Sequence, residues 1–97
     1  MTGTTRSSSG LDARRRRVLF RSWHRGMKET DLITGPFADA MIDRLSDAEL
    51  DEYERLIEAP DPDLYRWVAN GEPPPPEFQG PVFQQLYDFH HDGRDPA

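Results

Sequence analysis

Apolar positions along the chain fall into five short stretches with helical spacing, and none alternates as a strand. In the first stretch Leu19, Trp23 and Met27 recur every four residues, with Phe20 beside them. Asp12 is suited to cap its start, so the pattern predicts a helix over about residues 12–25. Gly26 then breaks or bends the chain. In the second stretch Phe37, Met41 and Leu45 lie four apart and Ile33 and Ile42 widen the stripe, predicting a helix from Met27 to Leu45. Pro36 falls inside it, where a missing backbone donor predicts a kink or a restart. The third start is the clearest: Ser46-Asp47-Ala48-Glu49 is a capping box, followed by a stripe of Leu50, Tyr53, Leu56 and Ile57 and stopped by Pro60.

The fourth stretch reads as capped by Asp61, with Pro62 at the first helical position. Leu64, Tyr65, Trp67 and Val68 follow, and Gly71 ends it. Trp67 and Tyr65 read as core or rim. Pro73 to Pro76 form a stiff polyproline spacer. The fifth helix starts at Pro81, places Val82, Leu86 and Phe89 on one face with Phe83 and Tyr87 beside it, and ends at Gly93. The expected fold class is all-α, a small five-helix bundle with a disordered N-terminal tail. Residues 1–10, rich in Ser, Thr and Gly, form that tail; 11–93 form one helical domain; 94–97 fray.

Composition narrows the function classes. With 97 residues, 35% of them hydrophobic, the chain makes one small domain with a modest core. There is no Cys, which excludes a disulfide framework and thiolate chemistry. The longest uninterrupted apolar run is Val18-Leu19-Phe20, far short of a membrane span. Net charge is −6 and unevenly placed: residues 1–28 hold eight basic residues against one acid, and residues 29–97 hold four against seventeen. An anionic body disfavours wrapping nucleic acid. Arg14 to Arg17 encircle the first turns and read as mostly solvated. His24, His90 and His91 lack ligand spacing, so no metal site is expected. No phosphate-cradling glycine loop or nucleophile elbow occurs, and independent catalysis is not expected.

One segment stands out. His24-Arg25-Gly26-Met27-Lys28-Glu29-Thr30-Asp31 crowds two cations, a glycine and two acids between two helices. Arg25 and Glu29 are four apart, close enough to pair across one turn. Gly26, lacking Cβ, lets another backbone approach. Two readings stand equal on these residues: a docking patch for another protein, or a plain helix junction with an exposed ion pair.

Arg25-Gly26-Met27-Lys28-Glu29 reads as an RGxxE signature, with Asp31 after it. Pro36-Phe37 follows, then Leu45-Ser46-Asp47, Leu56-Ile57, and the run from Asp61 to Gly71. This ordered series, over about residues 14–92, resembles the family of FAD assembly factors of succinate dehydrogenase, the bacterial SdhE proteins and mitochondrial succinate dehydrogenase assembly factor 2. The resemblance implies a five-helix bundle that is not an enzyme. It implies binding to the flavoprotein subunit of succinate dehydrogenase, and in some bacteria fumarate reductase, with promotion of covalent FAD attachment there. No cofactor would be held tightly by the chain itself. The partner-binding residues implied are Arg25, Gly26 and Glu29, with Met27, His24, Lys28 and Asp31 extending the patch. Arg14–Arg17 is a denser basic cluster than the family requires. A monomer in the bacterial cytoplasm is expected ahead of the mitochondrial matrix, since 11 Arg against one Lys suggests GC-rich coding. Competing readings are a helical regulatory module that binds protein or nucleic acid, and a direct FAD carrier, which would need a flavin pocket.

Overall fold

The computed structural model describes residues 10–92; residues 1–9 of the expected tail over 1–10, residue 93, and the expected frayed end over 94–97 lie outside the described residues. Among the described residues there are five α-helices and no strand: α1 (Ala13–Trp23), α2 (Lys28–Met41), α3 (Asp47–Ile57), α4 (Asp61–Ala69) and α5 (Pro81–Asp92). A single 3-10 turn, Pro76–Phe78, precedes α5. The expected all-helical bundle is what forms. α2 is central, packing on α1, α4 and α5, while α3 packs on α5 and α1. Val18, Phe37, Ile42, Leu50, Tyr53, Leu64, Val68, Val82 and Leu86 are fully buried and draw all five helices or their connections into one core.

Two expected caps are present. Asp12 accepts the Arg15 N–H at 2.7 Å. Ser46 and Glu49 exchange both capping-box bonds, at 3.1 and 2.9 Å. α5 is capped from a distance, because Glu52 of α3 accepts the Val82 N–H at 2.8 Å. Gly80 is needed there: a Cβ would sit 2.5 Å from that carboxylate.

The boundaries of the first two helices differ from expectation. α1 stops at Trp23, two residues early, because His24 leaves helical torsions and Gly26 takes φ +148°. α2 runs unbroken through Pro36 and ends at Met41 rather than Leu45. The carbonyl that Pro36 cannot serve belongs to Leu32, on the exposed face, so its loss is inexpensive. One residue earlier, Gly35 lies flat under the Trp23 indole, where a Cβ would fall 2.4 Å from the ring. Trp23 Nε1 also donates to Asp39 at 3.1 Å. Tertiary packing thus accompanies a helix that continues through Pro36.

The arginine run is less solvated than its sequence suggests. Arg14 pairs with Asp51 and Glu54 of α3. Arg15 donates to the Ile42 and Leu45 carbonyls at 2.9 and 2.6 Å, closing the end of α2. Arg16 and Arg17 are exposed. The proline run is a spacer up to Pro75; Pro74 is buried, and Pro76 already belongs to the 3-10 turn that seats Phe78 against Trp67, centroids 5.1 Å apart.

Candidate functional site

The loop between α1 and α2, residues 24–27, is held by hydrogen bonds to several of its backbone groups and to the carbonyls that end α1. At the end of α1 the Phe20 carbonyl accepts from His24 Nδ1 at 2.7 Å, so that nitrogen carries the proton. The Arg21 carbonyl accepts the His24 N–H, and the Ser22 carbonyl accepts from Thr34 Oγ1 at 2.5 Å. These satisfy carbonyls that a helix end otherwise leaves open. The Arg25 N–H goes to Asp31 Oδ1 at 2.8 Å, and the Met27 N–H to Asp61 Oδ2 at 3.0 Å.

Arg25 itself turns inward. Its side chain is 7% exposed and its Nε donates to Asp61 Oδ1 at 2.7 Å. Nη1 donates to the Ile57 carbonyl, and Nη2 to the Ala59 carbonyl at 2.6 Å. The cation therefore sits on the C-terminal end of α3, and its partner anion sits in the first turn of α4. Both positions are favoured by the helix dipoles. A planar fork is what this geometry requires, with three donors facing three oxygens.

This overturns two expectations and adds a role for Gly26. Arg25 does not pair with Glu29; among the described residues its ion-pair partner is Asp61, 36 positions away. Asp61 does not cap α4: Pro60 occupies that position without a side-chain bond, and the Asp61 carboxylate reaches back to the α1–α2 loop. Gly26 serves the loop first. Its φ of +148° is unfavourable for any other residue, and a Cβ would stand 3.3 Å from Asp61 Oδ2.

The surface is consequently shared differently among the candidates. His24, Gly26, Lys28 and Glu29 are exposed, and Met27 and Asp31 are half-buried. Lys28 and Glu29 open α2, where Glu29 and Asp31 face the positive end of the helix. A shallow cleft of about 460 Å³ adjoins the loop, lined by Arg21, His24 and Arg25 on one side and by Ile57 to Asp61 on the other. Asp61 and the two carbonyls are the residues that sequence reasoning missed. An Asp before Pro at a helix start is satisfied by capping, so nothing local signals a partner 36 residues away. Among the described residues no group of three or more His, Asp or Glu could hold a metal ion. Tyr53, whose phenol is pushed well above its ordinary value by burial, bonds Ser22 Oγ at 2.6 Å and is a core group, remote from solvent.

The structure is thus a small all-helical bundle in which one charged loop is tied to the α3–α4 junction by an ion pair and hydrogen bonds. A family model described as the flavinator of succinate dehydrogenase matches residues 16–90, nearly all of that bundle. The chain belongs to this family of succinate dehydrogenase assembly factors. It is 35% identical over 88 residues to "Succinate dehydrogenase assembly factor 2, mitochondrial" of Dictyostelium discoideum, covering 91% of this chain and 61% of that protein. It is 39% identical over 80 residues to "FAD assembly factor SdhE" of Acetobacter pasteurianus, covering 82% and 73%. It is 36% identical over 86 residues to the Danio rerio protein named "Succinate dehydrogenase assembly factor 2, mitochondrial", covering 87% of this chain and 54% of that one. No helix among the described residues is long and apolar enough to cross a membrane.

Proposed function

We propose that the chain binds the flavoprotein subunit of succinate dehydrogenase and promotes covalent attachment of FAD to it, acting as a chaperone and not as an enzyme. The observation that carries this reading is the family match across residues 16–90, which takes in the whole clamped loop. The arginine-rich composition supports a bacterial cytoplasm as its place of action.

The chemistry suits a helper without a catalytic centre. FAD bound in the client would supply an electrophilic 8α carbon to an imidazole nitrogen of a client histidine; the 8α C–H and imidazole N–H protons would be lost, and the two electrons left on the flavin ring would pass to an external electron acceptor. The client supplies those groups. A binder that prefers the competent conformation raises its population and holds the reacting atoms in register. The loop is fitted to that task by its rigidity. Arg25, Gly26 and Asp61 fix the backbone, and His24, Met27, Lys28 and Glu29 meet the partner. FAD stays with the client, and the chain needs no tight flavin site of its own.

The test is covalent flavin on the flavoprotein subunit, read as fluorescence in a denaturing gel. Cells lacking the gene should lose the band. Glu29→Ala should weaken it without unfolding the chain, since Glu29 is exposed. An undiminished band on deletion would overturn the proposal.

A further inference from the structure

Arg14, Arg15, Arg25 and Arg66 each have an acidic partner. Among the described residues the side chains of Arg17 and Arg21 have no ion pair or hydrogen bond; Arg21 senses Glu54 and Tyr53 through space alone. The two arginines lie one turn apart on the outward face of α1, and Phe20 stands between them with 63% of its surface exposed. Its ring stacks on His24, centroids 3.9 Å apart and planes 14° from parallel. Arg17, Phe20 and Arg21 also line a shallow groove along α1. Arg21 and His24 continue into the cleft beside the α1–α2 loop.

We infer that this stripe is a second docking surface, taken by an acidic segment of the client flavoprotein that carries an apolar side chain to cover Phe20. The inference rests on the function proposed above. An exposed aromatic ring flanked by arginines has the composition that dominates interface energetics. Two unpaired cations on a protein of net charge −6 set the sign of the partner surface. The chain's own N-terminal residues cannot be the occupant on charge grounds, because residues 1–9 hold Arg6 and no acid. Continuity with the cleft lets one partner cover stripe and loop together.

The experiment measures binding of the full chain to purified flavoprotein subunit lacking covalent flavin, across a salt series. The variants are Phe20→Ser and the double variant Arg17→Glu/Arg21→Glu. These side chains are exposed, so both should melt like the unaltered chain. Phe20→Ser should weaken binding about tenfold, and the double variant more, with a shallower salt dependence. If the unaltered chain binds and both variants bind equally well, the stripe is not a docking surface while the proposed function stands. If the unaltered chain does not bind, the proposed function fails and this inference with it. Retention of the unaltered chain on duplex DNA at about 150 mM salt, lost in the double variant, would assign the stripe to phosphates and overturn it. A dimer in light scattering that the same substitutions dissolve would assign it to a second copy, with the same result.

Discussion

Truncating Arg25 to Ala removes a cation held by three oxygens. What it leaves is worse than what it takes. The Ile57 and Ala59 carbonyls lose their donors at the end of α3, and the Asp61 carboxylate, 16% exposed, loses its counterion. Breaking a buried ion pair from one side costs roughly 3–5 kcal/mol. Asp61 keeps the Met27 N–H, the dipole of α4 and some water, which places the loss near the lower end, about 3 kcal/mol. A domain of this size holds only roughly 5–10 kcal/mol, so a third or more of its stability goes.

Urea unfolding followed by circular dichroism at neutral pH measures this directly. Arg25→Ala, Asp61→Ala and the double variant form a cycle, and their coupling should exceed about 1 kcal/mol, since the groups share one network. Arg25→Lys should fall between, because an ammonium keeps the charge but cannot span Asp61 and two carbonyls together. Glu29→Ala, on the exposed start of α2, should unfold within about 0.5 kcal/mol of the unaltered chain. An Arg25→Ala variant as stable as that, or an additive cycle, would refute the clamp and return Arg25 to the surface role its sequence position suggests.

Two further outcomes follow from the packing and the charges. Gly35→Ala should destabilise by roughly 1–3 kcal/mol and change tryptophan fluorescence, because its Cβ would enter the Trp23 ring; an unchanged melting temperature would mean that the indole does not lie on Gly35. Hydrogen bonds from Arg14 hold the Glu54 carboxyl below its ordinary value of 4.5, so its stabilisation is present above about pH 4.5 and is lost as pH falls through the folded-state value. Arg14→Met should therefore lower stability at neutral pH and flatten its acid limb, and an acid limb as steep as in the unaltered chain would refute that pairing.

Much of this fold is legible because its signals are local. Asp12, the Ser46–Glu49 box and the stripe of Leu50, Tyr53, Leu56 and Ile57 each act within one or two turns, and all appear where the spacing places them. The features left open or misread are long-range. Pro36 leaves open one helix or two; α2 runs unbroken, with Trp23 lying over Gly35, a contact that no window around Pro36 contains. The solvated reading of Arg14 and Arg15 fails because their acceptors belong to the end of α2 and to α3. For the site, the segment 24–31 is marked out by its composition, and the family resemblance singles out the same residues. The direction in which Arg25 points is not encoded there. An i, i+4 pair with Glu29 is the best local option, and it is displaced by three oxygens that only the folded α3–α4 junction assembles.

That displacement changes how the Arg-Gly-x-x-Glu pattern works. A surface ion pair is worth about 0–1 kcal/mol and leaves both side chains free to move. A guanidinium lodged between two opposed helix ends instead fixes the loop relative to α3 and α4, in one sense only. The cation meets the negative end of α3 and the anion the positive end of α4, so the reversed arrangement would oppose both dipoles. Gly26 completes the closure by placing its backbone where any Cβ would crowd Asp61. The loop thus enters any encounter already ordered, and association does not have to supply the entropy of fixing it. A protein whose effect depends on favouring one conformation of its partner needs a surface that does not adapt to the others. Arg25 and Glu29, the two charged ends of the motif, therefore stand apart: Arg25 holds the loop from within, while Glu29 is exposed in the first turn of α2, where the proposed function would have the partner meet it.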